Sequence, residues 1–470
     1  TREIIMSNIA KVNFVRANIT VDEEIQFAAD KTDSNDNKLE AESILSKVIT
    51  FDYYEDVLSP SVTAYLKCVD TTNLLSRLPI RGYERVDLEF VTGNGSFIFG
   101  KNEDKNNPLY VTSIFDIMKK EGEEIFTLGL SSLENLMNET TRVQKKYPKA
   151  NISSHVRDIL TDPNILNIPK EKLGERADIE DCSTPYSFIG NNRKPFYILS
   201  WLCPKAQPLK EGKVGGTSGF FFYETYDGFK FKSVDGLLGQ VKDVEAKKLE
   251  TQPGSNRVIE TYTASSLIDS SKDESQNYQI ISYLMDSTVN LQKNLRVGLY
   301  SNLTYFYNPL DWTTRALPHQ LREEVEKDGV SVAGGTVPIP AGDVSKLASR
   351  ILVRIGDKGM LTPGLTTNDN DEVEDSGRSD ADMAKAFSRY TLLFQQSLNI
   401  NVPCNINLRA GDIIRVEIPV SGPLQSEKQK ELDQELSGFY LIRSLRHHFQ
   451  LSEGKNITAL NLVRDSYGIQ

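Results

Sequence analysis

Two stretches of this chain carry the same landmarks in the same order. That repetition restricts its fold more than any local motif does. The first stretch has Tyr53-Tyr54-Glu55, then Val69-Asp70 and Leu74-Leu75, where the second has Phe222-Tyr223-Glu224, then Val234-Asp235 and Leu237-Leu238. The first continues as Arg81-Gly82-Tyr83-Glu84-Arg85-Val86, and the second resumes much later as Ala410-Gly411-Asp412-Ile413-Ile414-Arg415. Leu109-Tyr110-Val111 is then matched by Phe439-Tyr440-Leu441, and Ile125-Phe126-Thr127-Leu128 by Ile457-Thr458-Ala459-Leu460. The gaps agree: 28 residues from Gly82 to Tyr110 against 29 from Gly411 to Tyr440, and 17 from Tyr110 to Thr127 against 18 from Tyr440 to Thr458. Alternation alone would prove little, since any two antiparallel sheets alternate. Ordered landmarks at matching gaps predict one β domain used twice, its second copy interrupted after the hairpin.

That hairpin lies in the most strongly patterned stretch, 194–238. Lys194-Pro195-Phe196-Tyr197-Ile198-Leu199-Ser200-Trp201-Leu202 predicts a short apolar helix with Pro195 in the first turn, where its missing N–H is no loss. Phe220-Phe221-Phe222-Tyr223-Glu224 and Phe229-Lys230-Phe231-Lys232-Ser233 flank a turn at Asp227-Gly228, a strong hairpin signal because glycine supplies the positive φ such turns require. The second strand alternates apolar and charged residues, which predicts one buried and one wet face.

At 470 residues, 39% hydrophobic and 25% charged, the chain has core for several domains. No apolar run reaches the ~18 residues of a membrane span, so stable membrane insertion is not expected. Thr1-Arg2-Glu3-Ile4 has no apolar signal region, so export through a signal peptide is not expected either. Four widely separated cysteines (Cys68, Cys182, Cys203, Cys404) predict free thiols in a reducing compartment. A net charge of −11 is the wrong sign for gripping phosphates.

The predicted architecture is mainly β with α+β insertions: two antiparallel β-barrel domains and two accessory domains. The boundaries are 1–132 for the first barrel with an N-terminal extension, 133–217 for an α+β accessory domain, 218–238 plus 397–470 for the discontinuous second barrel, and 239–396 for an inserted accessory domain ending in a helix. Residues 29–42 and 366–378 are polar and acidic loops. The closing helix starts at Ser379, with Asp382 three residues on as a capping box. Met383, Phe387, Tyr390 and Phe394 share one of its faces, which is expected to pack on the second barrel. Phe387→Ala is then expected to cost about 3–5 kcal/mol, as truncation of a buried phenylalanine does.

The chemistry-bearing motifs are weak. Gly95-Ser96-Phe97-Ile98-Phe99-Gly100-Lys101 has phosphate-loop spacing, but Asn102 follows instead of Ser or Thr, and Phe97-Ile98-Phe99 has strand character. His447 and His448 are adjacent strand positions that face opposite ways, so they do not share an ion easily. Asp369-Asn370-Asp371 begins like a calcium loop, yet Glu374 stands where glycine is needed. With four histidines and no nucleophile elbow, nucleophilic catalysis has little material; paired carboxylates of a glycosidase have no framing motif. Phe220 to Tyr223 could stack bases, but a β core is the simpler account. No catalytic, cofactor or metal residue is assigned, and no enzyme activity is expected.

At Lys194-Pro195-Phe196 with Trp201-Leu202, Gly219-Phe220 to Tyr223-Glu224, and Gly228-Phe229-Lys230-Phe231-Lys232-Ser233, the chain resembles the baseplate hub proteins of contractile-tailed phages, the T-even type and its marine cyanophage relatives. Leu398-Asn399-Ile400-Asn401-Val402-Pro403, Arg409-Ala410-Gly411-Asp412, Gly438-Phe439-Tyr440-Leu441-Ile442, His447-His448 and Asp465-Ser466-Tyr467-Gly468 extend the resemblance, which covers roughly 45–470. It implies tail-tube-like barrels in a homotrimeric, pseudo-sixfold hub between the hexameric tail tube protein and the trimeric cell-puncturing spike. The implied place is the virion tail baseplate, assembled in the host cytoplasm beside baseplate wedge proteins, with DNA passing through the channel without specific binding. The structural and interface candidates are Trp201, Phe220, Phe222, Lys230, Lys232, Phe387 and Tyr440. Lys230 and Lys232 are expected to pair with carboxylates of a neighbouring subunit. The alternatives are a tail-associated envelope-degrading hydrolase, or the spike hub of a phage-like injection or secretion machine.

Overall fold

The structure, a computed structural model, describes residues 12–20, 42–78, 80–93, 95–100, 108–210, 213–214, 218–240, 259–264, 277–287, 289–307, 312, 314–327, 332–355, 385–420, 431–451 and 456–468. It is mainly β. The first unit comprises β1 (Val12–Thr20), β2 (Glu42–Ser43), β3 (Val48–Asp56), β4 (Thr63–Asp70), β5 (Arg85–Thr92), β6 (Gly95–Phe99), β7 (Leu109–Lys120) and β8 (Glu123–Ser131). Its strands neighbour one another in the order β3-β4-β8-β7-β5-β1-β2, with β6 paired to β5. Alternate apolar residues drive this: Phe51 and Tyr53, Leu66 and Cys68, Leu88 and Phe90, Phe126 and Leu128 all enter one core.

A middle layer follows: β9 (Lys146–Asn151), β10 (Ala177–Ile179), β11 (Pro185–Ile189), β12 (Leu209–Lys210), β13 (Lys213–Val214), β14 (Phe220–Thr225) and β15 (Gly228–Ser233), with the helices Ile152–Thr161 and Pro195–Leu202. The hairpin β14–β15 forms as expected, Thr225 opposite Gly228. Gly228 has φ +105, and a Cβ there would lie 2.2 Å from the Arg176 carbonyl oxygen, so only glycine fits. Here the structure departs from the sequence reading. The hairpin pairs with β10, parallel, in a three-stranded sheet and with none of the strands between 396 and 464. The cause lies in β14, which has no wet face. Phe220 and Phe222 enter the core of the middle layer, while Phe221 and Tyr223 enter a core shared with Leu393, Ile413 and Leu441. An element apolar on both sides becomes a layer between two cores instead of one wall of a barrel.

The rest comprises β16 (Thr261–Ala264), β17 (Gln279–Ile280), β18 (Ser282–Ser287), β19 (Ser301–Tyr307), β20 (Thr314–Gln320), β21 (Arg350–Ile355), β22 (Gln396–Pro403), β23 (Ile413–Glu417), β24 (Gly438–Gln450) and β25 (Ile457–Arg464). β20-β19-β21 form a separate sheet. The others run in the order β18-β22-β25-β24-β23-β16, matching β3-β4-β8-β7-β5-β1 in both spatial and chain order. Registers match as well. Arg85 opposite Tyr110 corresponds to Ile413 opposite Leu441, and Val111 opposite Leu130 to Ile442 opposite Leu462. Both long strands then carry the same register shift, between Val111 and Ser113 in β7 and between Ile442 and Ser444 in β24.

The entry turn is also repeated. Tyr83 (φ 78) donates its N–H to the Val111 carbonyl at 2.8 Å, and Gly411 (φ 88) donates to Ile442 at 2.8 Å. The Arg81 amide donates to Glu84 Oε1 at 2.6 Å, and the Arg409 amide to Asp412 Oδ2 at 3.0 Å. The true equivalent of Gly411 is therefore Tyr83, one residue from the glycine used as the sequence landmark. Gly82 also has positive φ (108), so glycine marks the turn without marking its register. The second unit thus draws β16 and β18 from within the insert, in place of the hairpin. One pairing differs: β16 is parallel to β23, whereas β1 is antiparallel to β5. Among the described residues neither sheet closes into a barrel. The two units join where the second half of β24 pairs antiparallel with β3, from Ser444 opposite Asp56 to Gln450 opposite Thr50.

The helix over 385–393 packs against the second unit, where Tyr390 and, just beyond the helix, Phe394 of the predicted face lie against the core of Ile413, Leu441 and Val463, but its fully buried residues are others. Ala386, Arg389, Leu392 and Leu393 are buried, and Phe387 is half-buried beneath the Arg350 guanidinium at 5.6 Å. The cost expected for Phe387→Ala is lowered accordingly. Met383 and the Ser379–Asp382 capping box, most of loop 29–42, loop 366–378 and the calcium-like run lie outside the described residues.

Candidate functional site

Three parts of the chain meet at a buried carboxylate. Glu55, at the end of β3 and 2% exposed, accepts from the Tyr226 amide at 2.7 Å in the hairpin turn and from the Ala410 amide at 2.9 Å in the second unit. The Tyr53 hydroxyl completes the set at 3.1 Å. Arg409 covers the turn: its guanidinium lies 4.7 Å from the Tyr226 ring centroid and 3.2 Å from Asp227 Oδ2. Burial pushes Glu55 up to about 7, against the pull of Arg409 and of its two backbone donors. A second carboxylate, Glu224 of β14, accepts from the Val62 amide at 3.1 Å and the Ser132 hydroxyl at 2.7 Å. Burial and the nearby Glu134 charge push it up to about 8. Both acids are enclosed and accept from the chain's own donors, so the arrangement is adhesive.

A second junction binds the insert to the second unit. Arg389, buried in the helix over 385–393, donates to Asp465 Oδ2 at 2.7 Å and to Asp235 Oδ1 at 3.2 Å, both carboxylates being fully enclosed. Asp465 also accepts from the Ala333 amide at 3.0 Å and the Ser466 hydroxyl at 2.9 Å. Four distant segments thus converge on one ion cluster.

The residues singled out from sequence are scattered through the fold. Phe220 stacks on Phe231 (4.6 Å) and Phe222 on Phe229 (5.5 Å) inside the cores described above. Trp201 packs on Phe188 with the Lys205 ammonium 4.4 Å above its ring. Tyr440 is buried, its hydroxyl donating to the Leu436 carbonyl at 2.7 Å beneath the Arg464 guanidinium. Lys230 and Lys232 both reach Asp178 of this same chain, at 3.6 and 2.7 Å. That corrects the expectation of a neighbouring subunit: β10 lies parallel to β15 and sets Asp178 directly opposite Lys230.

The histidine pair splits across the sheet as the pleat demands. His447 is buried against the Thr458 hydroxyl (2.9 Å), where burial pushes its pKa down to about 3, while His448 Nδ1 lies 2.6 Å from Asp52. The stretch Gly95 to Phe99 is strand β6. No cluster of three or more metal-ligating side chains occurs among the described residues.

Sequence reasoning missed two strand edges. In the outer half of β7, Phe115, Ile117 and Met118 are 38, 51 and 53% exposed; along β18, Tyr283 and Leu284 are 47 and 64% exposed. The signal was present in Ile114-Phe115-Asp116-Ile117-Met118, whose apolar residues break alternation and leave some of them outside any core. Beside the β18 edge, the joined sheet bears an open cleft of about 870 Å³ lined by Tyr54, Tyr65, Tyr283, Leu284, Asn399 and Arg446.

No family model matches the chain, and no curated protein matches it. Among solved structures, the tail protein from Neisseria meningitidis MC58 is similar at 9% identity, with 96% of each chain covered and a TM-score of 0.49. The 43 kDa tail protein of prophage MuSo2 from Shewanella oneidensis is similar at 8% identity, covering 97% of this chain and 100% of its own, with a TM-score of 0.48. A chain of the phage P2 baseplate is similar at 10% identity, with 89% of each chain covered and a TM-score of 0.29. These neighbours are phage tail and baseplate proteins; at such identities, with TM-scores below 0.5, they assign this chain no role.

Proposed function

We propose that the chain is a structural hub of a contractile phage tail baseplate: a homotrimeric, pseudo-sixfold adaptor that joins the hexameric tail tube to the trimeric cell-puncturing spike. The observation that carries this is the repeat, with the same strand order, registers and β7/β24 bulge in two units held in one sheet by β24 and β3. Two like units per chain let three chains present six similar faces to a sixfold partner and three to a threefold one. The sequence resemblance at 194–238 and 396–468 supports the same assignment. In this reading each unit is a tail-tube-like barrel that completes itself against its neighbours, and the middle layer and insert are the accessory domains that meet spike and wedge proteins.

In this reading the face that bears the cleft becomes the channel wall. It carries the amides Asn399, Asn401 and Asn461, and an Asp52–Arg446 pair at 2.8 Å whose charges offset each other. Such a wall holds no phosphate, and the chain's charge of −11 repels it. The hub has no catalytic activity of its own, and a peptidoglycan-clearing assay tests that point against the hydrolase alternative. Sedimentation of the full chain, alone and with its spike, tests the hub. A trimer is expected; a monomer in both settings, or a channel lined mainly by lysine and arginine, refutes it.

A further inference from the structure

The separate sheet of the insert, β20-β19-β21, is covered on one side only. Its middle strand turns Asn302, Thr304 and Phe306 inward, all of them buried, and Asn302 donates to the Ser388 hydroxyl at 3.3 Å. The helix over 385–393 closes that face: its Leu392 shares a core with Leu299, Tyr300 and Leu321, and its Phe387 lies beneath Arg350. The registers give the opposite face. Leu303 stands beside Ile351 and Pro318, Tyr305 beside Val353 and Ala316, and Tyr307 beside Thr314. Thr314 alone among these is polar, and none is charged. Nevertheless Ile351 and Val353 are 63 and 74% exposed, and Trp312, edge-on to Tyr307 at 6.0 Å, is 78% exposed. We infer that this face seats an amphipathic α-helix of a partner protein, held by an apolar stripe lying over β19.

The size and make-up of the face select that occupant. β21 runs parallel to β19, and parallel strand pairs occur almost only where both faces of the sheet are covered. One face already carries a helix, so the missing layer is its counterpart on the other. At ordinary strand rise and spacing the face measures about 23 by 14 Å, or about 300 Å². That is well short of the ~800 Å² per partner that holds a dimer by itself, so the face is not the seat of self-association. It matches one helix of about 10 Å diameter and about 15 residues, presenting anchors at i, i+3, i+4 and i+7. Strand addition is a poorer fit, because the outer strand β20 carries Pro318, a residue that blunts sheet edges. A lipid surface is a poorer fit as well, since the face has no cation to meet headgroup phosphates. An uncharged face calls for an equally uncharged stripe. That the partner is a neighbour in the baseplate rests on the hub reading; the helix and its seat do not.

The test reads the emission of Trp312, one of two tryptophans, in the full chain. The probe is a peptide of about 15 residues with leucines at helical spacing among Lys and Glu, long enough to span the face; its control has the same composition with leucines at alternate positions. The helical peptide is expected to shift the emission to the blue. Trp312→Phe should abolish the shift, and Val353→Glu should weaken binding at least tenfold without moving the melting midpoint. Val15→Glu, at an exposed position of β1, should leave binding unchanged. Val353→Cys gives a second readout, because the four native cysteines are buried. Its reaction with a maleimide should be at least tenfold slower in the assembled baseplate than in the free chain. A shift with the alternating peptide alone, or with phosphatidylglycerol vesicles alone, overturns the inference in favour of a strand or a lipid. Slow labelling in the chain's own oligomer overturns it in favour of a second copy. No shift with the helical peptide and no slowing in the baseplate overturn it outright, and a trimer with its spike then leaves the hub standing. A chain that binds the helical peptide but stays monomeric with its spike refutes the hub and leaves the helix seat.

Discussion

Replacing Arg389 with methionine removes the cation that holds Asp235 and Asp465 together but keeps most of the side-chain volume. Both carboxylates are fully enclosed, so neither recovers water when the guanidinium goes. Burial works against the charge on Arg389, but the two carboxylates overcome it and raise its pKa. Losing one partner of such a buried cluster typically costs about 3–5 kcal/mol, because the remaining charge is stranded. The loss falls on the segments that the cluster ties together: the helix over 385–393, the turn at Ala333 and the residues after β25. A 470-residue chain of several modules need not melt in one step, so local opening is the better measure. Hydrogen exchange at the amides of 385–393 should accelerate by about a hundredfold to a few thousandfold, at ~1.4 kcal/mol per factor of ten. Amides of β4 and β8 serve as an internal standard. Adding Asp465→Asn to the variant should restore part of the protection by removing one stranded charge. Acceleration below about threefold would show that the cluster adds no cohesion.

Glu55 predicts a pH dependence. Its folded pKa of about 7 stands above the ordinary 4.5, so the fold favours the protonated form; the stability it supplies is full at low pH and is lost as pH rises from 4.5 through 7. Glu55→Gln should flatten the profile of melting temperature against pH in that window, removing a slope worth of order 3 kcal/mol. Phe387→Ala, at a half-buried ring, should cost ~1 kcal/mol in a denaturant melt, about half the value of a fully buried side chain. Lys232→Ala breaks a partly exposed pair with Asp178 and should change stability by ~0–1 kcal/mol while leaving the protein's sedimentation unchanged.

What the sequence disclosed was the repeat, because turns that demand positive φ and long alternating strands leave marks that do not depend on distant partners. The Gly411 turn, the β7/β24 pair and the β8/β25 pair were all visible in it. The identity of the remaining strands was hidden. Thr261 to Ala264 alternates but is only four residues long, too short to stand out, and Ser282 to Ser287 has an edge with no strand beside it among the described residues, so its Tyr283-Leu284-Met285 run lacks the alternation of a half-buried strand. The hairpin at Phe220 was assigned to the wrong sheet for the opposite reason: its signal is so strong that it matches any β landmark, and its two-sided burial shows only in three dimensions. The junctions were hidden too. Glu55 and Ala410 lie 355 residues apart, and no local pattern marks a carboxylate whose donors come from three segments.

The two-sided burial of β14 has a mechanical consequence. Phe220 and Phe222 are rooted in one core, Phe221 and Tyr223 in the other, and all four belong to consecutive positions of one strand. Pulling the middle layer away from the second unit must therefore uproot one pair of rings or the other. An aromatic side chain buries about 150–250 Å², so a pair exposes about 300–500 Å², or roughly 10 kcal/mol at ~25 cal/mol per Å². Thermal energy does not open such a contact on the way to a functional motion. The strand acts as a rivet, and a load passing between the two cores crosses it without bending the molecule there. Any hinge this protein uses has to lie in a different part of the chain.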